Sequence, residues 1–153
     1  MKKTLLQYYI SEVIGSISLK LASITVFEKN KKNKLSLLVN IEQNMKNKVI
    51  LTLQDNSISI PIRITIFANL LGFIVGTTML FLPWNQILKL IKLGTEYFIP
   101  KIKDSESVMI FSELKLYQLF LEHETTINEF VNCELSNKKN SELPLRHILE
   151  KLN

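Results

Sequence analysis

The chain has a single cysteine, Cys133, in 153 residues. An internal disulfide is therefore excluded, and a lone thiol suits a reducing compartment. Histidine is almost as scarce, with only His123 and His147. The run His123-Glu124-Thr125-Thr126-Ile127 opens like the zinc-protease helix motif H-E-x-x-H, but Ile127 stands where the second imidazole is required. Without two imidazoles on adjacent turns, no zinc site of that class forms. Cys133 lies ten positions after His123, about 15 Å along a helix axis, so that histidine cannot activate that thiol. With 4 glycines and 4 prolines the chain is not of low complexity, and neither G-x-x-x-x-G-K-[ST] nor G-x-G-x-x-G occurs. A phosphate-cradling loop is absent from the sequence. Arginine is confined to Arg63 and Arg146, which leaves little for reading base edges in nucleic acid. Glu122, Glu124 and Glu129 share one stretch, but nothing in the sequence pushes their pKa values apart as acid–base catalysis requires. No cofactor is implied and no enzyme activity is expected. The residual enzymatic alternative is a dispersed site drawing on Asp55, Asn69, His123 and Glu124.

What is present is lysine, isoleucine and asparagine. The net charge is +5, and it is unevenly spread. Residues 1–103 carry 14 Lys and Arg against 5 Asp and Glu, whereas residues 104–134 carry 1 against 7. A basic front and an acidic helix attract one another, weakly for each exposed pair. Lys29, Lys31, Lys32 and Lys34 form a basic cluster suited to phosphates of nucleic acid or anionic lipid. No aromatic residue interleaves them for stacking on single strands. The start, Met1-Lys2-Lys3, resembles a signal peptide, but Gln7, Ser11 and Glu12 interrupt the apolar run. An amphipathic first helix is expected there, with no cleaved leader.

The chain is organised around Ile64–Leu88, 25 residues without a charge. Three structures compete for it. Ile64–Leu82 is long and apolar enough for a membrane span, with Trp84 at an interface and Gly72 and Gly76 in a G-x-x-x-G spacing. A buried soluble helix is the second, and a pair of core strands the third. Ile58, Ile60, Ile62, Ile64 and Ile66 alternate with Ser59, Pro61, Arg63 and Thr65. Period-two alternation of β-branched residues predicts a strand.

Taken in order, Leu5, Leu6, Tyr9, Ile10, Val13 and Ile14 predict a helix over Thr4 to Gly15. Alternation then predicts strands through Ile17–Phe27, Leu35–Ile41, Val49–Leu53 and Ile58–Phe67, and Gly72–Leu82 is a candidate fifth. Short polar stretches at residues 28–34, 43–48 and 54–57 read as hairpin turns. Helices are expected over about 84–98, 106–132 and 144–152, with Gly94 ending the first of them. Phe111, Leu114, Tyr117 and Leu121 belong to the apolar stripe of the long one.

The segment Phe81-Leu82-Pro83-Trp84-Asn85-Gln86-Ile87-Leu88, through Tyr97-Phe98-Ile99-Pro100, resembles the junction leading into the PilZ domains of flagellar-brake proteins. There a β-barrel precedes an L-P, a short helix and a Y-F-x-V-P. The resemblance covers about 20 residues and implies a small barrel. The family's cyclic-dinucleotide arginines have no counterpart here, where Lys89, Lys92 and Gly94 stand, and Asp55-Asn56-Ser57 lacks the glycine of D/N-x-S-x-x-G.

The expectation is a single α+β domain. It has an N-terminal helix, an antiparallel β-meander or small β-barrel over about 16–82, and a helical part over 83–153. The expected function is a cytoplasmic, non-catalytic protein-interaction module that binds a protein partner or a second copy. Its expected binding residues are Lys29, Lys31, Lys32, Lys34, Phe111, Leu114, Tyr117 and Leu121. The alternatives are a single-span membrane protein anchored by residues 64–82 and a basic nucleic-acid- or nucleotide-binding barrel. No metal is implied, and the sequence does not identify a small-molecule ligand.

Overall fold

The structure, a computed structural model, describes the backbone of residues 2–105 and 111–153 and, outside 111–113, their side chains. The described residues form six helices: α1 (Lys2–Thr25), α2 (Lys29–Asp55), α3 (Ile62–Met79), α4 (Trp84–Ser105), α5 (Phe111–Leu135) and α6 (Leu143–Leu152). Among the described residues there is no strand. The expected meander or barrel over 16–82 is therefore overturned, and with it the barrel implied by the PilZ resemblance.

The physical reason can be read residue by residue. In α2 the fully buried residues are Leu35, Leu38, Ile41, Met45, Val49 and Leu53, spaced by three and four as one helical face. Leu37 and Val39, which made the run look alternating, are the half-buried flanks of a wide stripe. The stretch 54–57, read as a hairpin turn, is the C-terminal cap of α2. Ser57 takes φ 55°, and the Ile58 N–H donates to the Leu53 carbonyl, as in a Schellman ending. Of the alternating isoleucine run, only Ile58–Pro61 is non-helical. Pro61 is the extended N-cap of α3, and Ile62, Ile64 and Ile66 continue into the helix. Strand propensity needs a partner strand to satisfy the backbone, whereas a helix satisfies it internally.

Two glycines taken as helix stops lie inside helices. Gly15 is in mid-α1, where the missing side chain leaves room for the buried carboxyl end of Glu42 on α2. Gly94 is inside α4, which runs on past Pro100 to Ser105. The first part of the expected 106–132 helix lies outside the described residues, and its remainder is α5. The expected terminal helix is α6, with Pro144 in its first turn.

The helices form two compact units, Met1–Leu82 and Pro83–Asn153. In the first, α1 is central and packs against both α2 and α3. Residues 26–28 are too short a link for anything but a reversal, so α1 and α2, which pack along each other with Gly15 facing Glu42, are antiparallel. Tyr9 meets Thr65, Ile17 meets Gly72 and Leu21 meets Gly76, so α1 and α3 are parallel. In the second unit, α5 packs against α4 and α6. Phe120, Ile127, Phe130, Ile87, Leu88, Ile102, Leu145 and Ile148 are among its buried apolar residues. Glu134 ties three segments together, accepting from Trp84 Nε1–H at 3.2 Å and from the Ser141 hydroxyl.

Candidate functional site

The most exposed apolar element is α3. Ile62, Ile66, Phe67, Leu70, Phe73 and Ile74 are each more than half exposed. At about 100° per residue they span an arc of about 140° on the helix. The opposite side is a stripe of small residues, buried Ala68, Gly72 and Gly76. This stripe lets α3 lie directly on the backbone of α1. A methyl group on Gly72 would come within 3.2 Å of the Ile14 Cα, and one on Gly76 within 3.0 Å of the Ser18 Cα. Two polar contacts cross the same seam: Ser18 Oγ donates to the Gly72 carbonyl at 3.3 Å, and the Tyr9 and Thr65 hydroxyls meet at 3.3 Å. Small residues and side-chain hydrogen bonds at a helix pair are how helices associate where no water drives them together.

Past Arg63, which is exposed in the first turn, three polar residues on or beside the outward face of α3 turn inward. Asn69 donates its amide N–H to the Thr65 carbonyl at 2.7 Å, Thr77 Oγ1 to the Phe73 carbonyl at 2.7 Å, and Thr78 Oγ1 to the Ile74 carbonyl at 3.0 Å. Each bonds back to the carbonyl four residues earlier, which hides its donor in the helix. The apolar surface continues past the C-terminal ends of α1 and α3. Ile24 is exposed in the last turn of α1, and beyond the two helices so are Phe27 (91%) and Phe81 (83%). Among the described residues, α3 is the one helix long and apolar enough to cross a membrane, and only 22% of it is buried.

The residues expected to bind fall elsewhere. Lys29, Lys31, Lys32 and Lys34 occupy the first turns of α2, not a β-turn. Lys31 is held by Glu28 at 2.5 Å. On α5, Tyr117 is buried and Leu114 and Leu121 are half-buried, while the side chain of Phe111 lies outside the described residues. The inward line of α5 is Leu116, Phe120, His123, Ile127 and Phe130, spaced four, three, four and three. That spacing was present in the sequence, and the polar His123 in the middle disguised it.

Of the candidate catalytic residues, Asp55 and Asn69 belong to the first unit and His123 and Glu124 to the second. Asp55 is exposed at the end of α2, and Asn69 commits its amide to its own helix. His123 and Glu124 sit next to each other in α5, both buried. Burial lowers the His123 pKa to about 3 and raises that of Glu124 to about 8, so both are held in their uncharged forms. Comparison with family models, with curated proteins and with solved structures returns no match.

Proposed function

We propose that the chain is a non-catalytic binding module whose docking surface is the outward face of α3, laid along a lipid bilayer. The observation that carries the reading is the chemistry of that face. Six large apolar side chains are exposed on it, its one charge, Arg63, stands in the first turn at the end of the helix, and Asn69, Thr77 and Thr78 already donate to their own backbone. A protein interface ordinarily carries about one hydrogen bond per 100–200 Å², whereas hydrocarbon requires polar groups to be satisfied internally. Full burial of a large apolar side chain contributes about 1.5–3 kcal/mol, so six half-exposed ones contribute on the order of 5–9 kcal/mol. The neighbouring helices favour an in-plane lie over a crossing. α1 packs along α3, and α2 packs along the far side of α1 with Asn33, Asn40 and Asn47 exposed. A crossing α3 would drag that polar helix towards the hydrocarbon, whereas an in-plane α3 leaves α2 in water.

The test is flotation of the full chain with phosphatidylcholine vesicles, beside a Phe67→Asp/Phe73→Asp variant checked for helix content by circular dichroism. The native chain is expected to float and the helical variant to remain in the aqueous fraction. A native chain that stays behind as a stable dimer, and becomes monomeric in the variant, overturns the reading and makes the face a contact between copies.

A further inference from the structure

Because α1 and α3 are parallel, both begin at the same end of the first unit. There an open groove of about 510 Å³ runs between them, lined by Lys2, Lys3, Leu6, Gln7, Ile10 and Ile64. Its lining is apolar and includes the aliphatic stems of Lys2 and Lys3, two exposed cationic side chains. Arg63, exposed and next to Ile64 in the chain, adds a third positive charge at that end; the acid at that end of α2 is Asp55. The N-terminal dipoles of both helices point their positive ends the same way.

We propose that this groove binds an anionic phospholipid, with an acyl chain along Leu6, Ile10 and Ile64 and the phosphate held by Lys2 and Lys3. The proposal rests on the membrane reading and deepens it, naming the lipid class that the docked face selects. The groove adjoins the N-terminal end of the α3 face, where Ile62 is exposed. A lipid drawn from the same leaflet therefore reaches it without leaving the bilayer. Lysine ammonium groups on flexible stems follow a phosphodiester as point charges. They repel the choline of a zwitterionic lipid, which supplies the selectivity.

The test compares flotation on phosphatidylcholine vesicles with flotation on equimolar phosphatidylcholine and phosphatidylglycerol. The native chain is expected to prefer the anionic vesicles by about fivefold per lysine engaged. Lys2→Ala/Lys3→Ala should reduce the preference by the factor those two lysines supply while leaving binding to neutral vesicles unchanged. Lys31→Ala/Lys32→Ala, which removes equal charge at the other end of the unit, should retain it. Monomeric dihexanoyl phosphatidylglycerol is expected to bind the native chain, and an Ile10→Trp variant that fills the groove with both lysines intact should lose it. Equal flotation on both vesicle types overturns this proposal and leaves the membrane reading standing; no flotation on either overturns both. Glycerol phosphate binding as tightly as the short-chain lipid overturns the acyl part.

Discussion

His123 and Glu124 place an imidazole and a carboxyl side by side in α5 without allowing either its ordinary charge. The folded chain keeps a proton on Glu124 that the unfolded chain releases above about pH 4.5, so stability falls as pH rises from there to about 8. The unfolded chain protonates His123 below about pH 6.5, which the folded chain resists down to about 3, so stability also falls as pH drops through that window. The two slopes cancel between pH 4.5 and 6.5. Above 6.5 Glu124 acts alone, and the expected loss by pH 8 is on the order of 2 kcal/mol. Urea unfolding at about pH 6 and about pH 8 reads this difference. Glu124→Gln should abolish the decline, and an equal decline in the variant would place its source elsewhere. Neither shift was legible in the sequence. His123-Glu124 looks like a solvated pair until Leu116, Phe120, Ile127 and Phe130 set the inward face around it.

At the scale of the element, α3 is where local pattern and structure part company. Ile58–Ile66 alternates as a strand does, and the length of charge-free sequence after it permits strand, soluble helix or membrane helix. Gly72 and Gly76 held the discriminating information, since their spacing is one helical turn and they pack against α1 at that spacing. β-Branched residues ordinarily count against helix, and here Ile62, Ile66 and Ile74 stand exposed on the outward side. The later helices were more legible because Pro144 and the three-and-four spacing agree with each other. For α3 lying in the plane of a bilayer, single cysteine labels from Ile62 to Met79, in a Cys133→Ser background, should report lipid exposure that oscillates with the helical period. Labels at Ile66, Phe73 and Leu70 should be deep, and those at Ala68 and Val75 protected. A smooth rise and fall along the helix, with a maximum near its middle, would instead mark a crossing.

Across the whole molecule, charge follows the two units. Residues 1–82 carry 10 Lys and Arg against 4 Asp and Glu, and residues 83–153 carry 9 against 10. An anionic surface attracts the first unit and is indifferent to the second. A fragment of residues 83–153 should therefore fail to float with anionic vesicles under conditions where the full chain does. Flotation of that fragment equal to the full chain would locate the surface in the wrong unit. The parallel pairing of α1 with α3 also dictates the order in which the first unit assembles. Contacts between α1 and α2 close a short loop, but Tyr9 reaches Thr65 across 56 residues and Ser18 reaches Gly72 across 54. Closing so long a loop costs more entropy and comes later in folding. On a chain made from its N-terminus, α1 and α2 are complete before Gly72 is synthesised. The hairpin is then a prepared berth, and α3 is the last helix of the unit to arrive and the first whose departure leaves the local contacts of the other two undisturbed.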